Sequence, residues 1–182
     1  MTSSEQLTSP ALQALLQDGQ LAGSWTLDPA RSEVRLQTRH TWGLRPLRGA
    51  FRQVTGNGTV TAAGQVSGVI TVAAGSIDTK NSTRDKHLRS ADFFDIANHP
   101  DITFTADGVS AADEDVRVTG SLTVRGRTRP ASFDAKISTA EGEVWLDGEL
   151  RVNRADFGLT WNWMGIASMD NTILIHAVFT RQ

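Results

Sequence analysis

From Trp25 onward, apolar and polar residues alternate along most of the chain. A period of two is typical of β-strands with one buried face. In EVRLQTRH the more apolar face carries Val34, Leu36, Thr38 and His40. The same pattern recurs in QVSGVITV, DITFTA, DVRVTGSLTV, RPASFDAKIS, EVWLDGELRV and NTILIHAVFT. About eight strands joined mostly by short turns predict an all-β fold with antiparallel strands.

The predicted inward faces have small residues near their middles. Gly120 interrupts one apolar row and Gly148 another, and Ala131 and Ala135 flank Phe133 in a third. An eight-stranded barrel is just wide enough to be filled by side chains or to hold one small ligand. Small residues at mid-strand favour a hollow, apolar interior. The alternative is that the glycines mark bulges or bends in the strands.

Residues 9–22 show helical spacing instead, with leucines three and four positions apart in SPALQALLQDGQ. Ser9 is the predicted N-cap, a proline follows it in the first turn, and Gly19 and Gly23 end the helix. The short apolar stripe predicts a helix that packs on the body of the protein; a partner-binding helix is the alternative. We therefore divide the chain into an N-terminal helical extension, residues 1–23, and a barrel domain, residues 24–182.

Composition narrows the class of protein. The chain has 182 residues, enough for one domain with a substantial core. Its 18 basic and 20 acidic residues give a net charge of −2, so no overall field attracts nucleic acid or anionic membranes. We expect no nucleic-acid partner. The absence of cysteine excludes disulfides and cysteine-ligated zinc.

Targeting signals are also missing from the sequence. The N-terminal residues carry neither a basic leader nor the apolar run that a signal peptide requires. No stretch approaches the roughly 20 apolar residues of a membrane-spanning helix. These features predict a cytoplasmic protein without stable membrane insertion.

Sequence motifs for catalysis or cofactor binding are not found: there is no nucleophile elbow, phosphate-binding loop or dinucleotide fingerprint. The four histidines, His40, His87, His99 and His176, lack the spacing of metal ligands, so we expect no metal and no cofactor. If the interior is catalytic, His40 and His176 are the acid–base candidates. By strand alternation, however, His176 faces away from the predicted interior.

RDKHLRSADFF, residues 84–94, breaks the β-strand pattern. Asn81, Ser82 or Thr83 is a suitable N-cap for a short helix that begins near Arg84 and presents phenylalanines on its apolar side. Long connections in compact domains are unusual and are often functional. An amphipathic segment of this kind either covers an open end of a barrel or lies against its outer wall. Covering the end accounts better for the apolar side.

Several longer motifs occur along residues 24–182. Around the predicted lid they are SIDT, RDKHLRSADFFD and HPDITF, and elsewhere they are WTLDPARSEV, RHTWGLRPLRGAFRQVTG, TGSLTVRGRTRP and NRADFGLTW. With these motifs the chain resembles the YceI-like family of bacterial lipid-binding proteins. The resemblance implies a lipocalin-like eight-stranded antiparallel barrel that holds an isoprenoid chain, such as a polyprenyl diphosphate or an isoprenoid quinone, and it does not imply catalysis. Two features depart from the family: many members carry a histidine in place of Arg31, and many are periplasmic.

With this resemblance, we predict a non-catalytic protein that sequesters or carries a long-chain amphipathic lipid beneath a lid formed by residues 84–95. Its head group would face Arg84, His87 and Arg89, although these residues are equally explained as surface residues paired with acidic neighbours. Phe93 and Phe94 either plug the barrel or contact the ligand. The remaining predicted ligand-binding residues are Leu36, Thr38, His40, Phe51, Phe104, Leu122, Phe133, Leu146, Trp161 and Trp163.

The alternative is an enzyme, an isomerase or cyclase that acts on an apolar substrate inside the barrel. Since a barrel closes its own sheet edges, solubility does not require oligomerisation. If a homodimer forms, the N-terminal helix is the expected contact.

Overall fold

Eight antiparallel strands close into a barrel in the computed structural model, which describes residues 5–40, 46–140, 142–161 and 167–182. This architecture confirms the eight-stranded antiparallel barrel predicted from the sequence. The elements are β1 (Glu5–Leu7), α1 (Ser9–Gln17), β2 (Gly23–Leu27), β3 (Glu33–His40), β4 (Leu47–Phe51), β5 (Val54–Val60), β6 (Val66–Ala73), β7 (Ile77–Asp78), α2 (Ser82–Arg89), β8 (Asp101–Ala112), β9 (Asp115–Val124), β10 (Arg127–Ala140), β11 (Glu143–Asn153) and β12 (Ala167–Arg181).

Three of the barrel strands consist of two segments separated by a bend. β2 and β3 pair with opposite ends of β12, as Leu27 opposite Phe179 and Leu36 opposite Ile173 show. β5 and β4 lie beside them, and β6 and β7 come next. From β8 to β12 each strand pairs with the following one, and β8 also pairs with β6, which closes the ring. Alternate residues therefore point into a shared interior.

The two mid-strand glycines have structural roles. A Cβ at Gly120 would collide with the carbonyl oxygen of Thr105, beside a register shift in the β8–β9 pair. A Cβ at Gly148 would lie 2.6 Å from the ring of Phe133. Gly120 thus accompanies a bulge, as the second interpretation predicts. Gly148 makes room for an aromatic ring within the barrel.

The N-terminal segment is part of the barrel core. β1 extends the sheet by pairing with the end of β10, Leu7 opposite Ile137. The N-cap of α1 is Thr8, one residue before the predicted position, and Gly19 follows the helix with a φ of 68°. Leu12 and Leu16 of α1 join the main hydrophobic cluster. Neither helix among the described residues is long and apolar enough to cross a bilayer.

At the other end of the barrel, β7 has a free edge, because β8 pairs with β6 but not with β7 in the described part of the chain. α2 lies beside this edge, and its arginines donate to carbonyls that have no strand partner there. Arg89 donates through Nε to Gly75 O at 2.7 Å and through Nη2 to Ile77 O at 2.8 Å. Arg84 Nη2 donates to Thr79 O at 2.7 Å. The basic side chains of the lid therefore satisfy carbonyls that a neighbouring strand would otherwise pair.

Candidate functional site

A cavity of about 260 Å³ lies inside the barrel under α2, and we call it the lid chamber. Most of its wall is aliphatic or aromatic, which suits an apolar ligand. The residues predicted from the sequence that line it are Leu36, Thr38, Phe51, Arg84, His87, Phe93, Phe94, Phe104, Leu122 and Trp161. Further lining residues include Val34, Leu47, Ile70, Val72, Leu88, Ile102, Val124, Leu150, Val152, Arg154, Phe157, Leu159, Asn171, Ile173 and Ile175.

α2 is fixed over this chamber by its N-terminal turn. The side chain of Asn81 caps the helix, with Oδ1 accepting from the backbone N–H of Arg84 at 3.0 Å. Asp85, only 7% exposed, accepts through Oδ1 from both the backbone N–H and the hydroxyl of Thr79. Arg84 Nε donates to the same hydroxyl at 2.7 Å. Asp85, Thr79 and Arg84 thus form a network that holds α2 against the end of β7.

The predicted head-group residues occupy different positions in this network. Arg84 lines the lid chamber although two of its nitrogens bind Thr79. Arg89 is not among the lining residues, since its guanidinium is directed at the carbonyls of Gly75 and Ile77. Its head-group role stays a prediction with no support from its position. His87 is the predicted residue best placed to meet a polar atom of a ligand.

His87 lines the lid chamber with a buried ring nitrogen. Nε2 is shielded from solvent and makes no hydrogen bond within the described structure. The imidazole packs on the indole of Trp161, with ring centroids 4.1 Å apart. A buried polar atom without a partner costs free energy, so the position of Nε2 in the wall of the cavity makes His87 a candidate for a ligand contact.

Arg154 is a lining residue that the sequence analysis did not select. Its guanidinium is buried, donating through Nε to Ser168 O and through Nη1 to the carbonyls of Leu159 and Trp161. It also lies 5.7 Å from the ring centroid of Phe93, within cation–π distance. Burial lowers the pKa of Arg154 from its usual value, yet arginine remains protonated at neutral pH. The motif NRADFGLTW contains this residue, but the order of apolar and polar residues in the motif does not predict that the arginine points inward.

The aromatic residues of the lid both pack inside the barrel and line the chamber. Phe94 lies 5.0 Å from Phe93 and 6.1 Å from Phe51 between ring centroids. All three line the chamber. The two alternatives for Phe93 and Phe94, plug and ligand contact, are therefore compatible: the rings close the lid end and form part of the surface that a ligand would touch.

A polar pair in the wall of the lid chamber is internally satisfied. Thr38 donates through its hydroxyl to Asn171 Oδ1, and Asn171 Nδ2 donates to Met169 O at 2.9 Å. Thr38 and Asn171 both line the chamber and are buried. These two side chains are accordingly less available to a ligand than His87.

A second cavity of about 150 Å³ occupies the opposite end of the barrel, and we call it the N-terminal chamber. Phe104 and Ile70 line both chambers, so the two are adjacent. Between them Phe104 packs edge-on against Phe133, with ring centroids 5.3 Å apart. The predicted residues in this lining are Phe104, Phe133 and Leu146, and others are Leu12, Leu16, Leu21, Trp25, Val60, Ala106, Val116, Val118, Ile137, Val144 and Phe179.

The remaining candidates lie elsewhere. The backbone of His40 pairs with Ala167 at the end of β3, but its side chain lies outside the described part of the structure. Trp163 also lies outside the described residues. His176 is on the outer face, as predicted, with Nδ1 donating to Asp147 at 2.6 Å. That position excludes His176 as an acid or base inside the barrel.

Sequence relatives support the resemblance noted above. A UPF0312 protein of Pectobacterium atrosepticum is 35% identical over 119 residues, 62% of this chain and 62% of that protein. Protein YceI of Salmonella arizonae is 33% identical over 112 residues, 58% of each chain. The matched stretch is thus less than two thirds of these relatives' length.

Solved structures share the fold. BcnA of Burkholderia cenocepacia has a TM-score of 0.76 at 23% identity, covering 84% of this chain and 98% of BcnA. A polyisoprenoid binding domain from Saccharophagus degradans has a TM-score of 0.69 at 15% identity, covering 87% of this chain and 98% of that domain. The sequence profile of the YceI-like domain matches residues 25–180. The chain therefore belongs to the YceI-like domain family.

Proposed function

We propose that this protein binds and carries a single long-chain isoprenoid lipid, without catalysis, in the interior of the barrel. The observation that carries the proposal is a pair of adjoining apolar cavities whose titratable lining residues, Arg84, His87 and Arg154, all lie in the lid chamber. Among the described residues, the N-terminal chamber has no titratable side chain in its wall. This polarity matches an amphiphile with its head under α2 and its chain in the barrel.

The apolar lining supplies the affinity. Burying each methylene contributes about 0.8 kcal/mol. Association and ordering of the lipid offset about 4–15 kcal/mol of that gain. A few buried isoprene units are therefore sufficient for micromolar binding, and affinity rises with the length of chain that the cavity accepts.

The head-group side of the chamber favours an uncharged polar head. The buried Nε2 of His87 needs one hydrogen-bond partner, which a quinone carbonyl or a hydroxyl supplies. Among the described contacts, at least two nitrogens of Arg84 and two of Arg154 already donate to protein oxygens. A diphosphate carries several negative charges and requires more free donors at close range. We therefore favour an isoprenoid quinone or a similar lipid over a polyprenyl diphosphate.

The polyisoprenoid binding domain of Saccharophagus degradans shares this fold, and its stated ligand class agrees with the proposal. The enzyme alternative has less support, because His176 lies on the outer surface, paired with Asp147. Among the described side chains, the interior offers a single histidine with an unpartnered nitrogen in an apolar wall, which supports retention of a ligand more directly than turnover.

Mass spectrometry of the protein purified without added lipid tests the proposal, first under native conditions and then after extraction with organic solvent. We expect one apolar adduct per chain whose mass fits an isoprenoid lipid without phosphate. A phosphate-containing adduct would retain the carrier function and overturn the uncharged head. A protein that stays free of adduct after incubation with isoprenoid quinones and polyprenyl diphosphates would overturn the function.

A further inference from the structure

The floor of the N-terminal chamber comes from a segment outside the matched family region. Leu12 and Leu16 of α1, together with Leu21, line the chamber, whereas the family profile begins at residue 25. Both α1 leucines are buried, at 6% and 7% exposure. This chain thus closes one end of its barrel with residues that the shared domain does not include.

Contacts on both sides of α1 attach it to the barrel. Before the helix, β1 pairs with β10 through three residues, Glu5 to Leu7. After it, the indole Nε1 of Trp25 donates to Leu21 O at 3.0 Å, and Arg181 donates to Gln20 O. The Arg181 guanidinium also lies 4.8 Å from the Trp25 ring centroid. α1 is therefore held as a fixed wall.

The two chambers form one path from α2 to α1. On β11, Val152 lines the lid chamber and Val144 lines the N-terminal chamber. Eight residues of strand span about 26 Å, and a strand tilt of about 40° reduces this to about 20 Å along the barrel axis. Phe104 and Ile70 line both chambers, so a chain that leaves the lid chamber passes beside them.

We propose that α1 is a chain-length stop: the lipid tail crosses the constriction at Phe104, enters the N-terminal chamber and ends against Leu12 and Leu16. The inference rests on the proposed function. It adds that the position of α1 determines which isoprenoid chain lengths bind best. Chains that end within the lid chamber do not contact α1, so their affinity does not depend on it. Longer chains gain affinity from the N-terminal chamber until they reach the stop.

Two matched valine-to-phenylalanine variants on β11 test the stop with geraniol, farnesol and geranylgeraniol, each one isoprene unit longer than the last. Val144→Phe fills the N-terminal chamber, and we expect it to weaken geranylgeraniol binding by about tenfold while geraniol binding is unchanged. Val152→Phe fills the lid chamber, and we expect it to weaken all three. Calorimetric titration measures each affinity, and thermal unfolding verifies that both variants fold.

The opposite change enlarges the floor. Leu16→Ala removes three carbons from the wall, and we expect the geranylgeraniol-to-farnesol affinity ratio to rise by about tenfold. If that variant does not fold, Val144→Phe carries the test alone. Equal effects of Val144→Phe on all three alcohols, or no effect, would overturn the stop and leave the carrier function standing. If the unaltered protein bound none of the three alcohols, both the carrier function and the stop would be overturned.

Discussion

The imidazole of His87 packs against the indole of Trp161 with ring centroids 4.1 Å apart and an interplanar angle of 54°. Trp161 is 46% exposed, while Nε2 of His87 is buried. Trp161 therefore contacts solvent, His87 is partly exposed, and both rings line the lid chamber. A ligand head that occupies the chamber next to His87 changes the environment of Trp161 as well.

Trp161 is expected to report ligand binding through its fluorescence. A bound lipid removes water from one face of the indole, so the emission maximum should shift to shorter wavelength on titration with an isoprenoid quinone or alcohol. Trp161→Phe should remove most of this shift. Trp145→Phe is the matched control, because Trp145 alternates with the lining residues Val144 and Leu146 and so faces outward. Loss of the signal in the control variant instead would show that Trp161 is not the reporter.

His87→Phe should separate the head-group contact from packing. Phenylalanine keeps an aromatic ring against Trp161 and removes the buried Nε2, so we expect the ligand-free protein to be as stable or slightly more stable. Binding of a prenyl alcohol should weaken by about three- to tenfold, the worth of one hydrogen bond. Binding of a prenyl hydrocarbon that lacks a head group should be unchanged. Equal weakening of alcohol and hydrocarbon would mean that His87 acts through shape alone.

Asp85→Ala is expected to loosen the lid. The substitution leaves the buried N–H of Thr79 without its acceptor, which should cost about 2 kcal/mol of the free energy of unfolding. Because the lost contact joins α2 to β7, hydrogen exchange of Ser82–Arg89 should accelerate more than exchange of the barrel strands. Lys86→Ala, at an exposed position on the same helix, is the control and should change neither quantity. Uniform acceleration across the barrel would contradict a local role.

Much of the fold could be predicted from the alternation of apolar and polar residues alone. Strands of a closed barrel have one buried face, so the period of two in EVRLQTRH and its counterparts predicts both strand and orientation. The same logic places His176 outside and Phe133 inside, as the structure confirms. The helix near Arg84 could be predicted because its N-cap and its apolar side are both local features of the sequence.

The parts that escaped prediction depend on contacts between distant segments. In the sequence Arg154 resembles a surface charge, and only the folded chain brings the carbonyls of Leu159, Trp161 and Ser168 around its guanidinium. The sequence also gave no sign that Arg89 donates to the carbonyls of Gly75 and Ile77 beside the free edge of β7, and its head-group role stays a prediction. The sequence analysis predicted that α1 packs on the body of the protein but not that it closes the barrel. The spacing of its leucines shows that one face is buried, not which surface that face contacts.

Gly148→Ala should destabilise the protein although a strand usually tolerates alanine. The added methyl would lie 2.6 Å from the Phe133 ring, and relief of that contact should cost about 1–3 kcal/mol, measured by urea unfolding. At Gly58 a methyl would meet Ser67 O at 3.4 Å, so Gly58→Ala is a mild control. Phe133→Leu in the Gly148→Ala background should recover part of the loss. Without that recovery, the cause would lie in the backbone rather than in the ring.

Arg31→Gln should produce a stability change that depends on pH. Arg31 donates to Asp28 and, through both Nη atoms, to Glu143, which joins the β2–β3 connection to the start of β11. These bonds lower the pKa of both carboxyl groups in the folded protein. A carboxyl group with a lowered folded pKa stabilises the fold fully above its unfolded value of about 4 and loses that contribution as the pH falls through the folded value.

The melting temperature of Arg31→Gln should therefore lie below that of the unaltered protein at pH 7, and the two should converge as the pH falls below about 4. The difference should also shrink in high salt, because Arg31 is exposed and both acids are partly exposed, so salt screens the ion pairs. Arg35→Gln removes an exposed arginine that pairs with Glu33 two residues away on the same strand, and it should change the melting temperature little. A difference for Arg31→Gln that did not shrink as the pH fell below about 4 would assign its effect to packing, because protonation of the carboxyl groups weakens the ion pairs.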